Sequence, residues 1–208
     1  MNVWQWTTAE FLSRAASAEP VPGGGSVAAY SGAAAAAMVC MVANLTLGKE
    51  KYRDAAEQTA RILKEGQARL RTLQDLVSRD IEVFTEFMAV LRLPKTTDEE
   101  KSLRAAKMQE TLRAATEVPL AIARDSLSVL QLARELAPIG NQAAISDAGA
   151  AAYLAESALK AALLSAQINL KSLQDAAYVQ RIQTERFTLL EQAAQLGAAT
   201  IAIVESRL

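Results

Sequence analysis

Residues 20–47, PVPGGGSVAAYSGAAAAAMVCMVANLTL, decide the fold of this chain. Three glycines run into Ser26, and no charged residue occurs from Ser26 to Leu47. A helix that is apolar on every side has to be buried on every side. The stretch therefore predicts a central helix over Ser26–Leu47, with Gly48 as its stop. Pro20, Pro22 and Gly23–Gly25 read as the loop before it. Free N–H groups at such a helix start can face an anion or a polar ligand, and the glycines let a ligand or another backbone come close. The run is also long enough to span a bilayer. It is mostly Ala, Gly and Ser, with Asn44 and Thr46 near its end, so burial inside a bundle is expected rather than a membrane span.

The rest of the chain reads as helix too. Thr7 and Glu10 have capping-box spacing before a short helix over Thr8–Ser17. A long helix follows over Lys51–Leu91. Its stripe is Leu63, Gly66, Leu70, Leu73, Val77, Asp80, Phe84, Phe87 and Leu91, alternating mostly three- and four-residue steps as a bundle seam does. Pro94 ends it. Thr97 and Glu100 form a second capping box before a helix over Asp98–Ala137, in which Pro119 predicts a kink. Pro138 and Gly140 stop that helix. The last two helices are expected over Ser146–Leu173 and Ala176–Arg207. No window alternates as a strand does. The expected fold is all-α: an up-and-down bundle of long antiparallel helices, one domain over residues 1–208, around the uncharged Ala-rich helix.

Composition narrows the function. The chain has 208 residues, 51% of them hydrophobic, with 22 basic and 23 acidic side chains and a net charge of -1. No basic tail or arginine stripe favours nucleic acid. There is no histidine, which removes histidine triads, histidine-ligated metals and histidine proton shuttles. The single cysteine, Cys40, leaves no internal disulfide and reads as a small hydrophobe. No metal site is expected. The N-terminus lacks a signal-peptide pattern, so a cytoplasmic protein is expected.

Several polar residues break the helical pattern. Asp80 stands on a seam between Val77 and Phe84, where a carboxylate is costly unless paired. It reads either as a cross-helix hydrogen bond or as a ligand-binding or catalytic carboxylate. Asn169 lies on the stripe of Ala148, Ala152, Ala155, Leu159, Ala162, Ala166 and Leu173; it either bridges helices or presents an amide to a ligand. Asp147, beside Ser146, is a cap or a functional acid. Asn141, after Gly140, is a turn residue or a polar group at a site. Lys49 complements a helix C-terminus or serves as a site cation, with Lys51 as the less favoured alternative.

The opening PVPGGGS segment resembles that of the cyclodeaminase/cyclohydrolase family. The blocks GKEKY (48–52), SRDIEVF (78–84), LPKTTDEEK (93–101), EVP (117–119), SDAGAAAYL (146–154) and INL (168–170) follow in that family's order. The resemblance implies an enzyme of folate one-carbon metabolism. It would hydrolyse 5,10-methenyltetrahydrofolate to 10-formyltetrahydrofolate, or cyclise 5-formiminotetrahydrofolate with loss of ammonia. It further implies a homodimer with sites near the subunit interface and no cofactor beyond the folate substrate. On this reading the catalytic candidates are Asp80, Asp147 and Lys49. Gly23, Gly24, Gly25, Ser26, Asn141 and Asn169 are the substrate-binding candidates. Asp80 is favoured for proton transfer, Asp147 for pterin or proton handling, and Lys49 for polarising the one-carbon unit or binding the folate's glutamate carboxylate. Ser165 and Gln167 depart from the asparagine and basic residue expected of the family there. The rival readings are a non-catalytic folate or small-molecule binder and a helical interaction scaffold. Asp80, Asn169 and the triple glycine together disfavour a pure scaffold.

Overall fold

The computed structural model describes residues 3–208. Among them no strand occurs; the elements are six α-helices and three short 3-10 segments. The helices are α1 (Thr8–Ala15), α2 (Gly24–Thr46), α3 (Ala56–Leu91), α4 (Asp98–Leu136), α5 (Ile145–Leu170) and α6 (Ala176–Arg207). The 3-10 segments are Val3–Gln5, Glu50–Ala55 and Gln142–Ala144. Both expected capping boxes form, with the Thr7 and Thr97 hydroxyls accepting from the Glu10 and Glu100 N–H groups. Asp175 caps α6 by accepting from the Tyr178 N–H. Gly48 stops α2 with a φ of 77°, the left-handed conformation that glycine alone adopts without strain.

Helices α2, α3, α4 and α5 form a four-helix bundle, and α6 packs along α4 and α5. Sequential long helices run antiparallel. Gly25 meets Asp80 while Gly66 meets Cys40 across α2 and α3. Arg61 pairs with Glu135, and Arg69 with Asp125, across α3 and α4. Helix α2 is packed into the bundle over most of its length, with Ala29, Ala35, Ala36, Val39, Val42 and Ala43 wholly buried. Helices α2 and α6 both have the length and apolarity to cross a membrane, but the small side chains of α2 serve close helix packing here. Gly32 admits Leu73 and Ser126, and Gly66 admits Cys40.

Four boundaries differ from expectation by two residues or more, the first being α1, which ends at Ala15 and not at Ser17. Helix α2 begins at Gly24, so Gly24 and Gly25 form its first turn instead of a loop. Residues 50–55 are 3-10 helix broken at Tyr52 (φ −114°, ψ 16°), and α3 starts only at Ala56. Helix α5 ends at Leu170, not Leu173. Helix α4 continues through Pro119 from Asp98 to Leu136.

Candidate active site

A cleft of about 180 Å³ opens where the N-terminus of α2 meets α3, α4 and the C-terminal part of α5. Gly23, Gly24, Gly25, Asp80, Pro119, Ser165 and Asn169 line it, with Phe84, Phe87, Val83 and Ile168 as its apolar walls. Its floor is built around Asp80. Gly23 is the N-cap of α2 and has no side chain to cap with. Asp80, from the middle of α3, takes that task across the interface. The Ser26 hydroxyl donates to Asp80 Oδ2 at 2.6 Å, and the Ser26 N–H also donates to the carboxylate. Ser26 is fully buried. A positive helix end and two donors are what a desolvated carboxylate needs. Burial still wins and pushes the Asp80 carboxyl above its ordinary range, while the two Ser26 hydrogen bonds pull it down.

The glycines act by lack of bulk. None of Gly23, Gly24 or Gly25 has a positive φ, so their backbone angles do not call for glycine. A Cβ on Gly25 would collide with the Asp80 carboxylate, standing 2.8 Å from its Cγ. A Cβ on Gly24 would point at Ser165 Oγ from 3.8 Å, an ordinary contact at the cleft wall. Gly25 therefore seats the acid, and Gly24 leaves the cleft open.

Asn169 faces the same cleft. Its side-chain N–H₂ donates to the Ala115 carbonyl at 2.7 Å and to the Ser165 carbonyl at 3.3 Å. The Ala115 carbonyl is the one that the residue four positions on would normally engage, and that residue is Pro119, which has no N–H. With both donors on carbonyls, the amide orientation is fixed and Oδ1 is left as an acceptor at the cleft. Ser165 lines the cleft, whereas Gln167 is exposed on another face.

Three candidate residues lie elsewhere. Lys49 follows the far end of α2, and Asp147 is in the first turn of α5, whose other end carries Asn169. Helix α2 has 23 residues, so its ends are about 34 Å apart. Asn141 is buried in a knot at that far end. Its N–H donates to Thr46 Oγ1 at 2.8 Å and its Nδ2 to the Leu45 carbonyl at 2.9 Å. Its Oδ1 accepts from the Ala143 N–H and the Tyr52 hydroxyl. Arg207 closes the knot by donating to the Ala137 and Gly140 carbonyls. Within one chain, then, Asn141 is spent on hydrogen bonds that join α2, the turn after α4 and the start of α5. Lys49, Asp147 and Asn141 do not reach the Asp80 cleft of their own chain.

Sequence reasoning passed over Phe84 and Phe87 as core residues; their rings are 6.2 Å apart and wall the cleft. It also passed over the Ala115 carbonyl, for which a proline inside a helical pattern was the available signal. No group of three or more metal-ligating side chains occurs among the described residues. The arrangement offers one desolvated acid, one oriented amide and two aromatic faces in an apolar cleft. That set suits proton transfer on a flat, partly cationic heterocycle.

Comparison with known proteins agrees with this geometry. A family model described as formiminotransferase-cyclodeaminase matches residues 7–187. The methenyltetrahydrofolate cyclohydrolase of Methylorubrum extorquens is 42% identical over 201 residues, 97% of each chain. The formimidoyltransferase-cyclodeaminase of Sus scrofa is 34% identical over 197 residues, which cover 95% of this chain and 36% of that longer protein. The crystal structure of formiminotetrahydrofolate cyclodeaminase from Thermotoga maritima superposes with a TM-score of 0.88 at 27% identity, over 98% of both chains. With the helical order, the cleft and this match over most of its length, the chain belongs to the formiminotransferase-cyclodeaminase family.

Proposed function

We propose that this chain is an enzyme of folate one-carbon metabolism that hydrolyses 5,10-methenyltetrahydrofolate to 10-formyltetrahydrofolate. The observation that carries the reading is Asp80: a carboxylate with raised pKa, held at a helix N-terminus inside an apolar cleft. The near full-length likeness to a methenyltetrahydrofolate cyclohydrolase supports this reaction ahead of the ammonia-releasing cyclisation. The substrate's N5–C–N10 bridge is a delocalised cation. Phe84 and Phe87 give it aromatic faces, and the Asp80 carboxylate gives it a counter-charge in a site of low dielectric. Water attacks the bridging carbon as Asp80 accepts its proton, forming a neutral tetrahedral carbinol. Asp80 then returns that proton to N5 as the C–N5 bond breaks. The carbinol hydroxyl loses its proton to solvent and becomes the formyl oxygen on N10, so one proton is released overall. The Asn169 Oδ1 accepts from a pterin N–H and holds the ring plane. These steps call on no group beyond the chain and its folate substrate.

The far-end residues enter through a partner. Helix α2 carries an outward stripe of Val27, Ser31, Ala34, Met38, Met41 and Leu45, and α5 one of Ala150, Leu154, Ser157, Ala161, Leu164 and Ile168. Both stripes alternate steps of four and three, and neither contains a charge. Leu164 and Ile168 are 66% and 68% exposed in the single chain, so the face is uncovered there. Two such adjacent seams suit a symmetric pairing through α2 and α5. Because α2 and α5 are antiparallel, a two-fold axis across their middle brings the Asp80 end of one protomer to the Lys49–Asp147 end of the other. Lys49 and Asp147 then complete the cleft in trans.

Loss of methenyltetrahydrofolate absorbance with purified protein tests the reaction. Turnover is expected at rates well above the buffer-catalysed reaction. Absence of turnover, with ammonia released from formiminotetrahydrofolate instead, would favour the cyclodeaminase reading.

A further inference from the structure

Three polar side chains line the Asp80 cleft: Asp80, Asn169 and Ser165. The first two are committed. Asp80 accepts from the Ser26 hydroxyl and N–H. Asn169 gives both side-chain hydrogens to carbonyls and keeps its oxygen for a ligand. The Ser165 hydroxyl is the unspent group. It makes no hydrogen bond to any described residue; only the Ser165 carbonyl is engaged, by Asn169 at 3.3 Å. A helical hydroxyl has the carbonyl four residues back within reach. Thr116 on α4 uses it, donating to the Leu112 carbonyl at 2.7 Å, whereas Ser165 leaves the Ala161 carbonyl alone.

Its place in the cleft is fixed. Asn169 lies one helical turn further along α5, so the two side chains face the cleft together. Opposite stands the first turn of α2. Ser165 Oγ is 3.8 Å from where a Cβ on Gly24 would be, and Asp80 fills the corresponding space beside Gly25. Ser165 from α5 and Asp80 from α3 thus flank the same stretch of backbone. Neither glycine has a side chain to separate the two groups. Ser165 is half-buried, so it stands between the cleft interior and solvent.

We infer that Ser165 is a catalytic residue of the hydrolysis: its Oγ is the second acceptor for the attacking water and the exit for the proton that the reaction releases. The inference rests on the folate reading of the cleft. A water held only by Asp80 is free to swing about that one hydrogen bond. With its second O–H on Ser165 Oγ, a lone pair is directed at the bridging carbon, which removes an orientational cost from the attack. The neutral carbinol keeps this second contact. As Asp80 returns its proton to N5 and the C–N5 bond breaks, the carbinol proton moves to Ser165 Oγ. The serine's own proton moves to a water at the cleft mouth. The electron pair of the carbinol O–H bond stays on oxygen and closes the formyl C=O. Ser165 ends as it began, and the one proton released overall has left by a defined path.

The test compares Ser165→Ala and Ser165→Thr with the parent. Methenyltetrahydrofolate absorbance reads turnover, calorimetric titration of tetrahydrofolate reads binding, and thermal melts read stability. Tetrahydrofolate has no bridging carbon and calls for no attacking water. Ser165→Ala is expected to lower kcat about 10- to 100-fold and to bind tetrahydrofolate as the parent does. Its Tm should at least equal the parent's, because the lost hydroxyl bonds nothing in the chain and alanine favours a helix. Ser165→Thr keeps the hydroxyl and should recover most of the lost kcat. Added imidazole, a small base able to take the carbinol proton, should restore part of the kcat of Ser165→Ala and leave the parent unchanged. A parental kcat in Ser165→Ala, or a loss of tetrahydrofolate affinity as large as the loss of kcat, would overturn the inference. So would a Ser165→Thr protein that binds normally and stays as slow as Ser165→Ala; if the threonine methyl impairs binding, Ser165→Ala decides alone. No response to imidazole would remove the proton exit. Failure of the parent to hydrolyse methenyltetrahydrofolate is a separate result, against the functional reading itself.

Discussion

Asn169 and Pro119 are joined through a carbonyl that neither owns. Pro119 cannot donate to the Ala115 carbonyl, and the Asn169 side chain takes the vacant position at 2.7 Å. A defect in one helix thereby becomes the anchor for a polar side chain of another, and the anchored amide is left with its oxygen toward the cleft. Pro119→Ala restores a backbone donor that competes with Asn169. The variant is expected to be more stable than the parent and weaker in folate binding. A double-mutant cycle checks the coupling: Asn169→Ala should lower binding in the parent and have a smaller effect in the Pro119→Ala background. Equal effects in both backgrounds would show the two residues to be independent.

Asp80 separates activity from stability. Asn in its place still accepts from Ser26 but carries no charge to desolvate. Asp80→Asn is expected to lower kcat/KM by about 10²- to 10⁴-fold, with a Tm at least equal to the parent's. Burial raises the folded-state pKa of Asp80 above its ordinary value of 3.8. The folded chain therefore holds this proton more tightly than the unfolded chain, and stability from this group falls as pH rises from that value through the folded pKa. The Tm advantage of Asp80→Asn should grow over the same window and then level off. The acid limb of the parent's kcat/KM profile should lie above the ordinary carboxylate range, because the ionised form is the base. A melting difference independent of pH would contradict a raised Asp80 pKa.

Gly24 and Gly25 are neighbours with opposite predicted phenotypes. Gly24→Val projects into the cleft and meets nothing closer than Ser165 Oγ at 3.8 Å from its Cβ. It should keep its helical content and Tm while folate binding falls sharply. Gly25→Ala drives its methyl group into the Asp80 carboxylate. Both the Asp80–Ser26 hydrogen bond and turnover should be lost, with a drop in stability. Circular dichroism melts beside a folate titration distinguish the two. A Gly24→Val protein that binds as tightly as the parent would remove that wall from the site.

The bundle was legible because its signals are local and redundant. Capping boxes at Thr7–Glu10 and Thr97–Glu100, the Gly48 stop and the charge-free Ser26–Leu47 run each act within a few residues. Asp80 was legible as a polar residue on an apolar seam. Its cap on α2 was not, because a side chain that caps a different helix leaves no mark in the sequence around that helix. The Ala115 carbonyl differs: Pro119 marked it as vacant, and only its partner on another helix, Asn169, left no mark. Asn141, Asp147 and Lys49 were grouped with Asp80 by the family resemblance and by their polar chemistry, although α2 holds the two groups a full helix length apart. Counting residues along α2 and α5 would have separated them, and would have posed the question whether a second protomer brings them together.

That question has a decisive experiment. Light scattering of the parent at micromolar concentration is expected to give the mass of a dimer. Leu164→Glu places a charge on the uncovered α5 stripe and should give a monomer with greatly reduced turnover. The trans contribution is then tested by mixing two inactive proteins, Asp80→Asn and Lys49→Ala, and allowing subunits to exchange. If the site is shared, a mixed dimer has one cleft with both defects and one with neither. Random exchange makes half the dimers mixed, so about one quarter of the parent's activity should return. If each cleft is completed within its own chain, every cleft in the mixture carries one defect and no activity returns. Recovery in the mixture, combined with none from either variant alone, would place Lys49 across the two-fold axis from Asp80.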